Sequence, residues 1–130
     1  MDLPGAFPAV AASLTEIRLA VRACARAAGA TPDVIAAAVL AVNEAATNSI
    51  VHGYAGGRSD ETVQVTGEHD DGWLRFVVAD TGTGLRLRRH SPGLGLGFAI
   101  IAQCADALEL HEIPGDRLEL RLSFRLNGAA

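Results

Sequence analysis

Residues 40–54 read LAVNEAATNSIVHGY, an apolar helical run interrupted by polar side chains, among them Asn43, Glu44, Thr47 and Asn48. Glu44 and Asn48 stand four apart, so on a helix they project from one face with β-carbons roughly 5–6 Å apart. A carboxylate can take a proton from an attacking hydroxyl or water. An amide oxygen is a neutral, hard ligand for magnesium. The same four residues also suit an ordinary wet helix face, so the pair acquires meaning only from what surrounds it.

Working outward, the helix starts at Thr31-Pro32-Asp33, which supplies an N-cap, a proline at the first helical position and an acid in the first turn. Val34, Leu40 and Ile50 carry its apolar run to about His52, and Gly53 ends it. His52 reads as a histidine at a helix C-terminus. Upstream, residues 9–28 form a helix with Leu14, Ile17, Val21 and Cys24 on one stripe, stopped by Gly29. Downstream the period changes to two. Val63 and Val65 alternate with polar neighbours, Asp70-Asp71-Gly72 turns the chain, and Trp73–Ala79 returns. A third helix is expected from about Leu94 to Asp106. A hairpin closes the chain, Leu108–Ile113 and Arg117–Leu126 around Pro114-Gly115-Asp116. In its last strand Leu118, Leu120, Leu122, Phe124 and Leu126 share a face opposite Glu119, Arg121, Ser123 and Arg125. The expected fold is an α+β two-layer sandwich, ordered α-α-β-β-α-β-β, with three helices on one face of a mostly antiparallel sheet.

Two glycine segments follow in order. Asp80-Thr81-Gly82-Thr83-Gly84 sits directly after a buried strand; an acid there can accept from an exocyclic amine such as adenine N6, and glycines let backbone approach a ligand. Gly93-Leu94-Gly95-Leu96-Gly97 opens the third helix, where free backbone N–H groups and the helix dipole suit phosphate oxygens. A dinucleotide fingerprint fails, because Phe98 stands where its third glycine belongs. Between the segments, Arg86, Arg88, Arg89 and His90 form a basic loop, either solvated or able to neutralise phosphate.

Helix with Glu-x-x-x-Asn, strand ending Asp-x-Gly-x-Gly, then Gly-x-Gly-x-Gly opening a helix: the series resembles the Bergerat-type ATP-binding fold of DNA gyrase, histidine kinases and the mismatch-repair and heat-shock ATPases. Within it, residues 40–54, 78–85 and 93–101 resemble the N-box and two glycine boxes of anti-sigma-factor serine kinases of the RsbW type, a resemblance that spans about residues 8–126. It implies that Glu44 is the general base toward a serine hydroxyl and that Asn48 coordinates magnesium on the phosphates. Asp80 would bind the adenine amine, Gly82 and Gly84 the base and ribose, and Gly93, Leu94, Gly95, Leu96 and Gly97 the phosphates. The implied cofactors are ATP and magnesium. The implied partners are a sigma factor and an anti-anti-sigma antagonist, with homodimerisation usual in the family. Two departures stand out: a short loop at 85–92, and Asp116-Arg117 where relatives carry a small Gly-Thr. They leave a second reading open, a nucleotide-binding regulatory module that acts by partner binding with little or no phosphorylation.

Composition bounds the alternatives. All 11 basic residues are arginine, so a P-loop ATPase, a eukaryotic-type protein kinase and a Schiff-base enzyme are excluded for want of a lysine. A net charge of -4 without a large basic cluster argues against direct nucleic-acid binding. Cys24 and Cys104 match no metal or redox spacing and read as buried thiols. With 130 residues and 49% hydrophobic content the expectation is one domain over 1–130, cytoplasmic, without signal peptide or membrane span.

Overall fold

The computed structural model describes residues 5–53, 62–80, 94–113 and 117–126. Its elements are β1 (Ala6–Pro8), α1 (Ser13–Ala27), α2 (Pro32–Gly53), β2 (Thr62–Asp70), β3 (Trp73–Asp80), α3 (Leu94–Cys104), β4 (Ala107–Ile113) and β5 (Arg117–Arg125). The strands form one antiparallel sheet in the order β1-β2-β3-β5-β4, and three helices pack against it. The α+β expectation holds, with one correction: a strand precedes the first helix among the described residues. Ala6–Pro8 pairs with Gln64–Thr62, and Val65 donates to the Gly5 carbonyl at 2.8 Å. Two turns then delay α1 to Ser13, four residues later than the apolar spacing suggests.

Local chemistry sets the connections. α1 ends in a left-handed glycine, Gly29 at φ 83°, while Ala30 donates to the Ala25 carbonyl at 3.0 Å, five residues back. The Thr31 hydroxyl then accepts from the Val34 N–H at 3.3 Å, capping α2 as its sequence predicts. Between β2 and β3 the two-residue turn puts Asp71 at φ 52° and Gly72 at φ 79°, positive at both central positions as a type I′ hairpin requires.

The core lies between sheet and helices. α1 contributes Ile17, Val21 and Cys24, and α2 contributes Ala38, Ala41, Val42 and Ala45. The strands answer with Val63, Val65, Leu74, Phe76, Leu120, Leu122 and Phe124. Phe76 and Phe124 meet edge to face, with centroids 6.3 Å apart. Phe76 also needs Gly67 opposite it: a β-carbon there would stand 2.7 Å from its ring and 3.1 Å from the Cys24 sulfur. The other face of the sheet is wet, with Arg121–Glu119 and His111–Glu109 contacts at 3.1 and 2.9 Å and Arg125 over the Trp73 ring.

Candidate functional site on the second helix

α2 is apolar nearly all round, so its few polar side chains divide by the flank they occupy. On the flank toward α1, the Asn43 side-chain oxygen accepts from Arg18 Nη1 at 2.9 Å, and Arg18 Nη2 donates to Thr15. On the opposite flank lie Glu44 and Asn48, one turn apart and both half-buried. That flank faces α3. The Cys104 thiol, at the C-terminal end of α3, is pushed above its usual range first by burial and then by the negative charge of Glu44. Neither Glu44 nor Asn48 has a hydrogen-bond partner among the described residues.

Half-burial without a protein partner leaves a carboxylate and an amide underused. On the core side, the Ser49 hydroxyl is fully buried and has no partner among the described residues. It neighbours Asn48 in sequence, but its side chain enters the core.

The remaining predicted positions are only partly within the described residues. Asp80 is the last residue of β3, opposite Val63 and two positions beyond buried Val78. Leu94, Gly95, Leu96 and Gly97 form the first turn of α3, as the sequence predicts. Glycines inside a helix cost about 1 kcal/mol each relative to alanine, and a first turn leaves its N–H groups without intrahelical partners. Both facts suit close approach of an anion. Gly82, Gly84, Arg89 and Gly93 lie outside the described residues, as does the 85–92 loop.

Two features escaped sequence reasoning. Leu40 belongs to the apolar run but is 46% exposed and does not join the core. Cys104 is half-buried, and its proximity to Glu44 follows from α2–α3 packing, which no local spacing signals. A depression of about 700 Å³ lined by Thr66, Glu68, Arg75, Glu119 and Arg121 belongs to the wet sheet face, away from Glu44 and Asn48.

The described residues contain no group of three or more His, Cys, Asp or Glu suited to a metal. A magnesium ion does not require one: it keeps several waters and takes one or two protein oxygens together with substrate phosphates. Asn48, half-buried and unpartnered, fits that donor set. Among the described residues no helix is long and apolar enough to cross a membrane.

The chain is a histidine kinase-like ATPase domain, matching that family's model over residues 7–124. Within that class it belongs with the anti-sigma F factors. It is 31% identical over 121 residues to the anti-sigma F factor of Clostridium beijerinckii, covering 85% of this chain and 84% of that protein. It is 30% identical over 122 residues to the anti-sigma F factor of Clostridium botulinum strain Eklund 17B, covering 84% and 85%. The fold is similar to the crystal structure of the RsbU and RsbW domains of Rv1364c from Mycobacterium tuberculosis, with a TM-score of 0.76 and 24% identity. That likeness covers 97% of this chain and 32% of the other, so the chain spans about a third of that structure's length.

Proposed function

We propose that the protein is an ATP-dependent serine kinase that phosphorylates an anti-anti-sigma antagonist and sequesters a sigma factor. The observation that carries the reading is the unpartnered, half-buried Glu44–Asn48 pair facing α3, whose first turn is glycine-rich. The family and the anti-sigma F factor relatives support it.

In this reading Asn48 holds magnesium through its amide oxygen, Asp80 binds the adenine amine, and Gly82, Gly84 and Gly93–Gly97 line the nucleotide, with Arg89 at the γ-phosphate. Magnesium, when bound, neutralises charge on the phosphate oxygens. Glu44 orients the serine hydroxyl and takes its proton. The serine oxygen forms a bond to the γ-phosphorus as the bond to the ADP oxygen breaks, giving phosphoserine and ADP. Positioning and charge neutralisation supply most of the acceleration in such a transfer. The flank between α2 and α3 offers one base and one metal ligand for that purpose.

The test is phosphoserine formation on the antagonist protein from labelled ATP, with the intact chain and with Glu44→Gln. Loss of a positioned general base lowers the rate by roughly 10²–10⁴-fold, while nucleotide affinity stays near that of the parent. Transfer that persists in Glu44→Gln would remove the residue from its role. Nucleotide binding with no transfer by the parent would leave a regulatory module that acts by partner binding.

A further inference from the structure

The helix layer turns two large apolar side chains to solvent. Leu19 on α1 is 62% exposed and Leu40 on α2 is 46% exposed. Leu19 lies off the stripe of Ser13, Ile17, Val21 and Cys24 that α1 buries, so the helix cannot cover it without surrendering its core face. Beside it on the outer side, one and two turns on, stand Arg22 and Arg26, both exposed. Like charges four apart destabilise a helix, and α1 carries no acid after Glu16 to offset them. Arg18 is engaged by Asn43 and Thr15, whereas Arg22 and Arg26 have no hydrogen-bond or ion-pair partner among the described residues. Arg26 gains from the helix dipole in the last turn; Arg22, mid-helix, gains nothing there. A basic strip is a local departure in a chain of net charge -4. α1 and α2 form a hairpin whose register the Arg18–Asn43 bond fixes, which brings Leu40 level with the turn of α1 that holds Arg22.

We infer that this face of the α1–α2 hairpin docks an acidic amphipathic helix of a partner protein. Apolar side chains of that helix rest on Leu19 and Leu40, and its carboxylates pair with Arg22 and Arg26. Charge decides the occupant, since a basic helix, or the same face of a second copy, would meet like charge. The inference rests on the partner-binding half of the proposed function and makes no use of the nucleotide.

The probe is a synthetic amphipathic helical peptide with leucine on one face and glutamate on the other, titrated into the isotope-labelled full chain and followed by amide NMR. Its lysine-for-glutamate counterpart and phosphatidylserine vesicles serve as alternatives. The expected result is shifts along Ser13–Ala27 and around Leu40 with the glutamate peptide alone. The Arg22→Glu/Arg26→Glu double variant, and separately Leu19→Asp, should each weaken binding by about tenfold or more, and added salt should weaken it further in the parent. Thermal melting of the same samples reports that the variants are folded. Equal binding of the lysine peptide, indifference to both variants, association with vesicles alone, or no binding up to about 1 mM would each overturn the inference. Nucleotide titration of these samples keeps a failure here separate from a failure of the ATP site.

Discussion

On the α1 side of α2, Asn43 accepts a hydrogen bond from Arg18 at 2.9 Å; on the α3 side, Glu44 and Asn48 are half-buried with no such partner among the described residues. The two flanks belong to one helix and hold similar side chains. Asn43 serves the hairpin, since its amide is matched to a guanidinium that also reaches Thr15. Glu44 and Asn48 keep their polar atoms free of hydrogen bonds within the described fold, which leaves them available to a ligand. Residue type alone does not separate the two uses; the neighbouring helix does.

Substitutions can break this contrast. The largest effect is expected at Asn48. Asn48→Ala should lower magnesium-dependent ATP affinity by at least roughly 10–100-fold, the scale on which loss of even an outer-shell partner of a metal ligand is felt, while leaving thermal stability unchanged. Calorimetric titration with and without magnesium checks it, and an unchanged affinity removes Asn48 from the metal. Asn43→Ala should do the reverse. Loss of a charge-assisted, part-buried hydrogen bond costs about 1–2 kcal/mol of stability, read from denaturant midpoints, and nucleotide affinity should stay within error.

A smaller effect sharpens the geometry of the α3 flank. Burial and the Glu44 charge both push the Cys104 thiol up, so little of it is thiolate at pH 8. Glu44→Gln removes the second cause, lowers the thiol toward its ordinary value and should speed alkylation of Cys104 at that pH by a measurable factor. Buried Cys24 should not respond. Peptide mapping after timed iodoacetamide exposure distinguishes the two thiols, and an unchanged Cys104 rate would separate Glu44 from α3.

Legibility in the sequence followed the reach of the interactions. The Thr31 cap, the Gly29 stop and the Asp71-Gly72 turn are local, and each stands where its residues place it. The alternation in β5 likewise fixes which residues enter the core, Leu120, Leu122 and Phe124 among them. β1 was illegible because three residues ending in a proline carry no period and are held only through pairing with β2. Leu40 misled because α2 is apolar almost everywhere, so spacing cannot tell its outer face from its inner one. At the site, the Glu44–Asn48 spacing was readable as a shared face. The partner helix on that face was not, because the Cys104 neighbourhood is created by packing between segments 60 residues apart in sequence.

The most direct measurement is a crystal structure with magnesium and a non-hydrolysable ATP analogue. The account predicts the metal at about 2.1 Å from the Asn48 amide oxygen, with the phosphates between α2 and the first turn of α3. Nucleotide bound elsewhere, or a metal held between the phosphates without Asn48, would contradict it.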